Sequence, residues 1–313
     1  MKLSTMFLVF LVRSTAAFHS SVKYRGCYFH ATSHHRLNRF LFDPSELEDD
    51  QCTIILPKDD FRTIHAAKVL GLHNGDTVRA GLVRQELLTD TATVQWLPQG
   101  KVKKAEPLGN GDPPGSLQIS LHDLQAQSPQ QDIKVSLLLA LPRPLQLGRM
   151  LPMIAQLGVD HLILTGATKV PKDYFGSHLF RKPEQITEKL VEGLCQAGDV
   201  RLPTVWIRKN LRDFVAQELD VLFPREEYAR VIAHPQRVDE SSTNRMRDVV
   251  FPCMNDKRLL LAVGPEGGWE EPDELDRFRN LGFQQVTLGT RILRSDVAVV
   301  SLLSLANEIC REQ

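Results

Sequence analysis

Apolar residues in this chain fall into two kinds of run, and the kind changes once. From Arg39 to about Leu124 the runs are short and punctuated: CTIILP from Cys52, DTVRAGLV from Asp76, TATVQWLP from Thr91 and SLQISL from Ser116. His73-Asn74-Gly75-Asp76 and the loop GNGDPPG separate them. Short β-rich runs bounded by such turn residues predict strands, and one stretch of helical character, Phe61 to Leu70, interrupts the series. A small β-barrel-like domain is expected at 38–125. The polar stretch 126–132 reads as a linker. Beyond it, at 133–313, IKVSLLLALP, DHLILTGA, PTVWIR, ARVIAHP, RLLLAVGP and FQQVTLG are strand candidates, most of them separated by helical periodicity, as in Leu147–Leu157, Glu184–Gln196 and Pro272–Leu281. This alternation predicts an α/β domain whose parallel sheet is covered on both faces.

Composition changes the picture mainly at the start of the chain. At 313 residues and 42% hydrophobic, the chain can bury one large or two modest cores. Lys plus Arg and Asp plus Glu are 38 each, so no global field draws it to nucleic acid or an anionic membrane; a polyanion would have to meet a local patch. Met1 to Phe42, however, contains no acidic residue. Lys2 precedes an apolar run, Leu3 to Val12, too short to span a bilayer and followed by Ser14, Thr15, Ala16 and Ala17. The basic, hydroxyl-containing segment from Phe18 has the composition of a transit peptide. Residues 1–37 are therefore expected to be a cleaved presequence. A signal peptide followed by a transit peptide beginning with Phe is similar to the two-part presequence of algae with secondary plastids, so plastid import is expected, with the mitochondrion as the alternative. No membrane association is expected after removal of the presequence. Five Lys and Arg lie in residues 1–37, leaving 33 basic against 38 acidic residues, a mildly acidic remainder. Cys27, Cys52, Cys195, Cys253 and Cys310 are few, scattered and odd in number, which disfavours secretion and offers neither a disulfide framework nor a metal motif.

Ligands of such sheets bind outside the carboxyl ends of strands. Three of these ends are unusual: Ala233-His234-Pro235, Gly264-Pro265-Glu266-Gly267-Gly268, and Leu288-Gly289-Thr290-Arg291-Ile292-Leu293-Arg294. Their glycines allow close backbone approach and positive φ. A phosphate cradle fails: the chain has no G-x-x-x-x-G-K-[ST] and no strand-linked G-x-G-x-x-G. Glu266, Glu270, Glu271, Asp273 and Glu274 also crowd the helix start that a phosphate would use. S-adenosylmethionine, which has no phosphate and carries a sulfonium cation, fits this chemistry.

GPEGG, followed by LGTRILRSDVA, resembles the signature of the RsmE family, SPOUT-type methyltransferases that modify N3 of a uracil in small-subunit ribosomal RNA. RFLF, IHAAKVLGLHNGDTV, LLLALPRP, LGVDHLIL, EGLCQAGDVRLPTV and AHP match in order, so the similarity covers about Arg39 to Glu308. The resemblance implies an N-terminal PUA-like β-barrel domain, a C-terminal SPOUT α/β domain with a deep trefoil knot, and a homodimer. It implies an S-adenosylmethionine pocket flanked by His234 and Pro235. Gly264, Glu266, Gly267 and Gly268 would form one wall, and Leu288, Gly289, Ile292 and Leu293 would line the other. Where the family commonly has Arg-Thr-Glu-Thr, this chain has Arg294-Ser295-Asp296-Val297.

Methyl transfer from a sulfonium needs positioning more than acid catalysis. Uracil N3 carries a proton at neutral pH, so the site must stabilise the anion left when that proton departs. Arg294 is the candidate for this charge. Asp296 or Glu266 could accept the proton or orient Arg294, and water could also serve. The base must be single-stranded or flipped out. Arg39, His65 and Lys68 from the β-rich domain, with Arg143 and Arg201 from the α/β domain, are the candidate RNA contacts. Taken singly, each of these residues has an ordinary structural role open to it. Their ordered combination points to the site. An RNA-binding ribosome-assembly factor without turnover is the alternative that Asp296-Val297 raises.

Overall fold

A computed structural model of the chain describes residues 39–98, 111–127, 134–235, 245–249 and 257–311. The expected presequence lies outside these residues, as does most of the linker. The described residues belong to one contact unit, Arg36–Gln313, and build two sheets with separate cores.

The first sheet contains β1 (Phe40–Phe42), β2 (Thr53–Leu56), β3 (Thr77–Leu82), β4 (Leu87–Pro98), β5 (Gly115–Ser120) and β6 (Gln125–Ala126), with helix α1 (Phe61–Lys68) between β2 and β3. Its order is β1-β3-β4-β5-β2, with β6 on β4. The long strand β4 pairs with β3 along its first half and with β5 along its second, which curls the sheet. Alternation sets the faces. Leu117 and Ile119 point inward opposite Trp96 and Val94, and Ile54 also pairs with Ile119. The buried Trp96 indole donates to the Leu72 carbonyl at 2.8 Å. Helix α1 is capped by Asp60, which accepts from the Arg62 amide, and closes this core with Ala66 and Ala67. The expected barrel is observed as a curled sheet.

The second sheet is wholly parallel, in the order β12-β10-β11-β7-β8-β9. The strands are β7 (Val135–Ala140), β8 (His161–Thr165), β9 (Thr204–Arg208), β10 (Tyr228–Ala233), β11 (Arg258–Val263) and β12 (Gln284–Val286). The longer helices are α2 (Pro144–Gln156) after β7, α3 (Glu184–Ala197) after β8, α4 (Leu211–Gln217) after β9, α5 (Asp273–Asn280) after β11, and α6 (Ser295–Arg311) after β12. Every residue of β7 is buried, as expected of a central strand covered on both faces. Helices α2 and α3 pack so closely that a Cβ on Gly193 would sit 2.1 Å from the Pro152 carbonyl oxygen. Helix α6 lies against α2, β7 and β11.

The chain runs outward through β7, β8 and β9, returns to β10, and then inserts β11 between β10 and β7. This reversal places a crevice at the carboxyl ends of β7, β11 and β10. Among the described residues no helix is long and apolar enough to cross a membrane.

Candidate active site

Beyond β11 the backbone turns through Gly264-Pro265-Glu266-Gly267-Gly268, closed by a 2.8 Å hydrogen bond from the Gly268 amide to the Pro265 carbonyl. The glycines there serve different ends. Gly268 adopts φ +69°, a left-handed conformation that disfavours side chains. Gly264 instead makes room inside the fold, because a Cβ there would stand 3.2 Å from Nε1 of the buried Trp269 indole. A Cβ on Gly267 would meet the aliphatic part of Lys169 at 3.2 Å. Beyond β12, Gly289 adopts φ +114° with nothing within 4 Å of where its Cβ would be, so this stretch of backbone is bare.

His234 follows β10. Its amide donates to the Val286 carbonyl at the end of β12, and its ring Nε2 lies 2.7 Å from Glu271 Oε1. It thus joins the ends of β10 and β12 to the segment after the glycine corner. The first turn of α2 makes two further joins. Arg143 pairs with Glu266 at 3.1 Å. Gln146 Oε1 accepts from Arg294 Nη2 at 3.4 Å. Arg294 Nη2 also donates to Asp296 Oδ2 at 2.8 Å, while Asp296 Oδ1 accepts the Val297 amide at 2.9 Å. The Arg294 side chain is 71% exposed and that of Asp296 18%. A largely shielded carboxylate therefore aims an accessible guanidinium, and the loops after β11 and β12 meet at the start of α2. Leu288 and Gly289 are half-buried in this arrangement, whereas Ile292 and Leu293 are exposed.

Three residues here escaped sequence reasoning. The Glu274 carboxylate, buried in the first turn of α5, accepts from Thr168 N (2.8 Å), Thr168 Oγ1 (3.0 Å) and Glu270 N (2.7 Å). Lys169 Nζ donates to the carbonyls of Gly267 and Trp269, both at 3.3 Å, and pairs with Glu270 at 3.4 Å. Thr168 and Lys169 lie in the loop after β8, three and four residues past its end, so the strand-end rule that singled out the other loops also pointed to this one. Glu274 reads in sequence only as one more acid at a helix start.

The five expected RNA contacts do not form one surface. Arg39 is buried: its guanidinium donates to the Ala80 and Thr89 carbonyls and to Asp90, and its amide donates to the Cys195 carbonyl of α3. It is used to hold β1 against β3, β4 and α3, which corrects the expectation that it faces RNA. Arg201 precedes β9, at the amino end of the sheet, away from the crevice, and is paired with Asp199 at 2.6 Å. Burial opposes ionisation of Asp199, but hydrogen bonds from Arg201 and its charge hold the carboxyl below its ordinary value. His65 and Lys68 share α1, where burial lowers the His65 pKa and Lys68 pairs with Asp112. Arg143 alone of the five lies at the crevice.

A parallel α/β sheet with bare-backbone loops and a presented arginine at its switch point offers a place for a ligand, and comparison with known proteins indicates the class to which this architecture belongs. The family described as RNA methyltransferase domain matches residues 129–307, more than half of the chain. Over 265 residues, 84% of this chain and 87% of the relative, the sequence is 27% identical to a ribosomal RNA small subunit methyltransferase E of Treponema pallidum (strain Nichols). A solved ribosomal RNA small subunit methyltransferase E from Neisseria gonorrhoeae, bound to S-adenosyl methionine, aligns with a TM-score of 0.61 at 19% identity, covering 87% of this chain and 97% of that one. A methyltransferase from Legionella pneumophila in complex with the same cofactor aligns with a TM-score of 0.61 at 18% identity, covering 87% and 98%. The structural likeness carries the fold. The chain belongs to the RNA methyltransferase domain family, in its RsmE branch.

Proposed function

We propose that this protein methylates N3 of a uracil in small-subunit ribosomal RNA, with S-adenosylmethionine as methyl donor, inside a plastid or, as the alternative, a mitochondrion. The observation that carries the reading is Arg294, exposed and aimed by Asp296 where the loops after β11 and β12 converge on α2. The donor set fits the cofactor. Gly268 and Gly289 offer backbone without side chains, and the acids Glu266, Glu270 and Glu271, paired with Arg143, Lys169 and His234, suit a ligand without phosphate better than one with it. The residues at the ends of β10, β11 and β12, from His234 through Gly268 to Leu288 and Gly289, would hold it. When bound, it supplies an electrophilic methyl group with a neutral thioether as leaving group.

The chain's own residues then have defined tasks. Arg294 places its guanidinium against the uracil and stabilises the negative charge left when N3 loses its proton. Asp296 commits one oxygen to Arg294 and the other to the Val297 amide, which supports a role as orienter rather than base. Glu266 is engaged by Arg143. With both candidate carboxylates occupied and Arg294 open to solvent, this reading passes the N3 proton to water. N3, once it has given up that proton and is held by Arg294, would be the nucleophile that receives the methyl group.

The same reading takes the curled sheet of 38–125 as a PUA-like RNA-binding domain and 133–313 as a SPOUT domain with a deep trefoil knot. It also takes the active form as a homodimer. The test is to map methylated bases in organellar small-subunit RNA from cells with and without the protein, and to restore the mark in vitro with purified protein and cofactor. An unchanged map, with no transfer to RNA from the deficient cells, would favour the assembly-factor alternative.

A further inference from the structure

We propose that Glu274 is a positioning residue for the cofactor wall: its carboxylate clamps the loop after β8 to the loop after β11 and so holds the Gly267-Gly268 corner ready to bind. This rests on the cofactor reading above. Burying a carboxylate is costly unless its oxygens are satisfied. Glu274 is 6% exposed and receives three donors, two from Thr168 and one from Glu270. These donors come from segments that the sheet ladder does not pair, since β7 lies between β8 and β11. The clamp therefore spans the carboxyl end of β7, over the crevice itself. Lys169 adds a second strand to it through the carbonyls of Gly267 and Trp269.

The corner needs such an external hold. Gly267 and Gly268 have no side chains with which to anchor themselves, and the turn is closed from within by the hydrogen bond from the Gly268 amide to the Pro265 carbonyl. Glycine backbone left unrestrained samples many conformations, and a ligand that selects one of them binds more weakly. Thr168 and Glu274 reduce that cost before the ligand arrives. They touch neither Arg294 nor Asp296, so they act on affinity for the cofactor and not on the charge formed on the base.

The test compares Thr168→Val, Thr168→Ser and Glu274→Gln in the full chain. Valine keeps the shape and the Thr168 amide but removes the hydroxyl; serine restores it. Glutamine places an NH2 where one of the donors now points. Calorimetry with S-adenosylmethionine should show binding about tenfold weaker for Thr168→Val and Glu274→Gln, with Thr168→Ser within about twofold of the parent. The loss should appear in KM for the cofactor and not in kcat. Without ligand, amide exchange at 266–270 should quicken about tenfold in the first two variants while β7 and β11 keep their protection. Parental affinity in both variants, or loosening spread evenly through β7 and β11, would overturn the clamp. If the unaltered protein does not bind S-adenosylmethionine, the cofactor reading falls, and the exchange measurement decides the clamp independently.

Discussion

In the proposed reaction a single guanidinium would carry most of the chemical burden, and its environment supports that role. Arg294 is exposed, yet one of its amino groups is held by Asp296 at 2.8 Å and touched by Gln146 at 3.4 Å. The hold matters because a donor already oriented needs no rearrangement when charge develops on the base. Arg294→Ala is therefore expected to slow methyl transfer on the order of 100- to 1,000-fold while leaving cofactor affinity nearly unchanged. Arg294→Lys should recover only part of the rate, because an ammonium does not reproduce the planar fork. Single-turnover transfer paired with calorimetry decides this; a variant that binds cofactor poorly but transfers normally at saturation would make Arg294 a cofactor ligand. Asp296→Ala should slow transfer less than Arg294→Ala, since it frees the guanidinium without removing it, and the same assay ranks the two. The arginine and its neighbouring acid were legible in sequence because Arg294 immediately precedes the last helix and Asp296 is that helix's second residue. Their mutual bond was not, because Arg-x-Asp spacing at a helix start allows many rotamers.

Elements show the same division between what periodicity dictates and what only packing reveals. The parallel strands announce themselves as apolar runs, since central strands bury both faces, and each expected run contains an observed strand. The start of β4, Leu87 to Asp90, was missed because Thr89 and Asp90 interrupt the apolar pattern on a half-solvated strand. Helix α4 was missed because its seven residues are too few to establish a period. Closeness of helices is likewise invisible in a linear pattern. Gly193 in α3 looks like a mild defect in a helix, yet it is what lets α3 approach α2, with its would-be Cβ 2.1 Å from the Pro152 carbonyl oxygen. Gly193→Ala should thus destabilise the fold by about 1–3 kcal/mol despite the better helix propensity of alanine. Urea unfolding would show it, and a stabilised variant would contradict the packing. At the amino ends of the strands, Asp160 accepts from Arg258 and lies 2.9 Å from His161 Nδ1. Burial opposes ionisation of Asp160, but hydrogen bonding and charge from His161, with the charge of Arg258, hold its pKa below the ordinary value. A depressed carboxylate stabilises the fold above its unfolded pKa, about 3.9, and that contribution is lost as pH falls through the lower folded value. The stability gap between the protein and Asp160→Asn should accordingly be full at pH 5 and shrink steadily below about pH 4. A gap that persists at the lowest pH where both remain folded would rule out this linkage.

At the scale of the whole molecule, the helices beside the crevice expose apolar side chains. Helix α6 buries Val299, Leu302, Leu303, Ala306 and Ile309 against its own fold, a spacing of three and four residues that fully accounts for one helical face. Val297 and Leu305 are left over at 46% and 37% exposure. Helix α2, which contacts α6, likewise exposes Leu145 and Met153, and the segment leading into α6 exposes Ile292. Scattered apolar residues on a surface need no explanation, but exposed ones on two helices that contact each other are where an interface is to be sought. A second copy of the chain is the partner this reading commits to, joined through α2 and α6 about a two-fold axis that brings each patch onto its equivalent. Such an interface would lie beside the loop from Gly289 to Arg294 and shield Ile292 and Leu293, which the isolated chain leaves to solvent. Light scattering of the chain from residue 38 onward is expected to give twice the chain mass at micromolar concentration. Leu305→Glu should shift it to the monomer mass, because a carboxylate facing its symmetry equivalent is both desolvated and repelled. Since Leu305 is two helical turns or more from Arg294, the variant should retain its fold by circular dichroism while losing transfer activity in proportion to the dimer lost. A native monomer, or a Leu305→Glu dimer indistinguishable from the parent, would remove α6 from the interface and leave the apolar patch to some other partner.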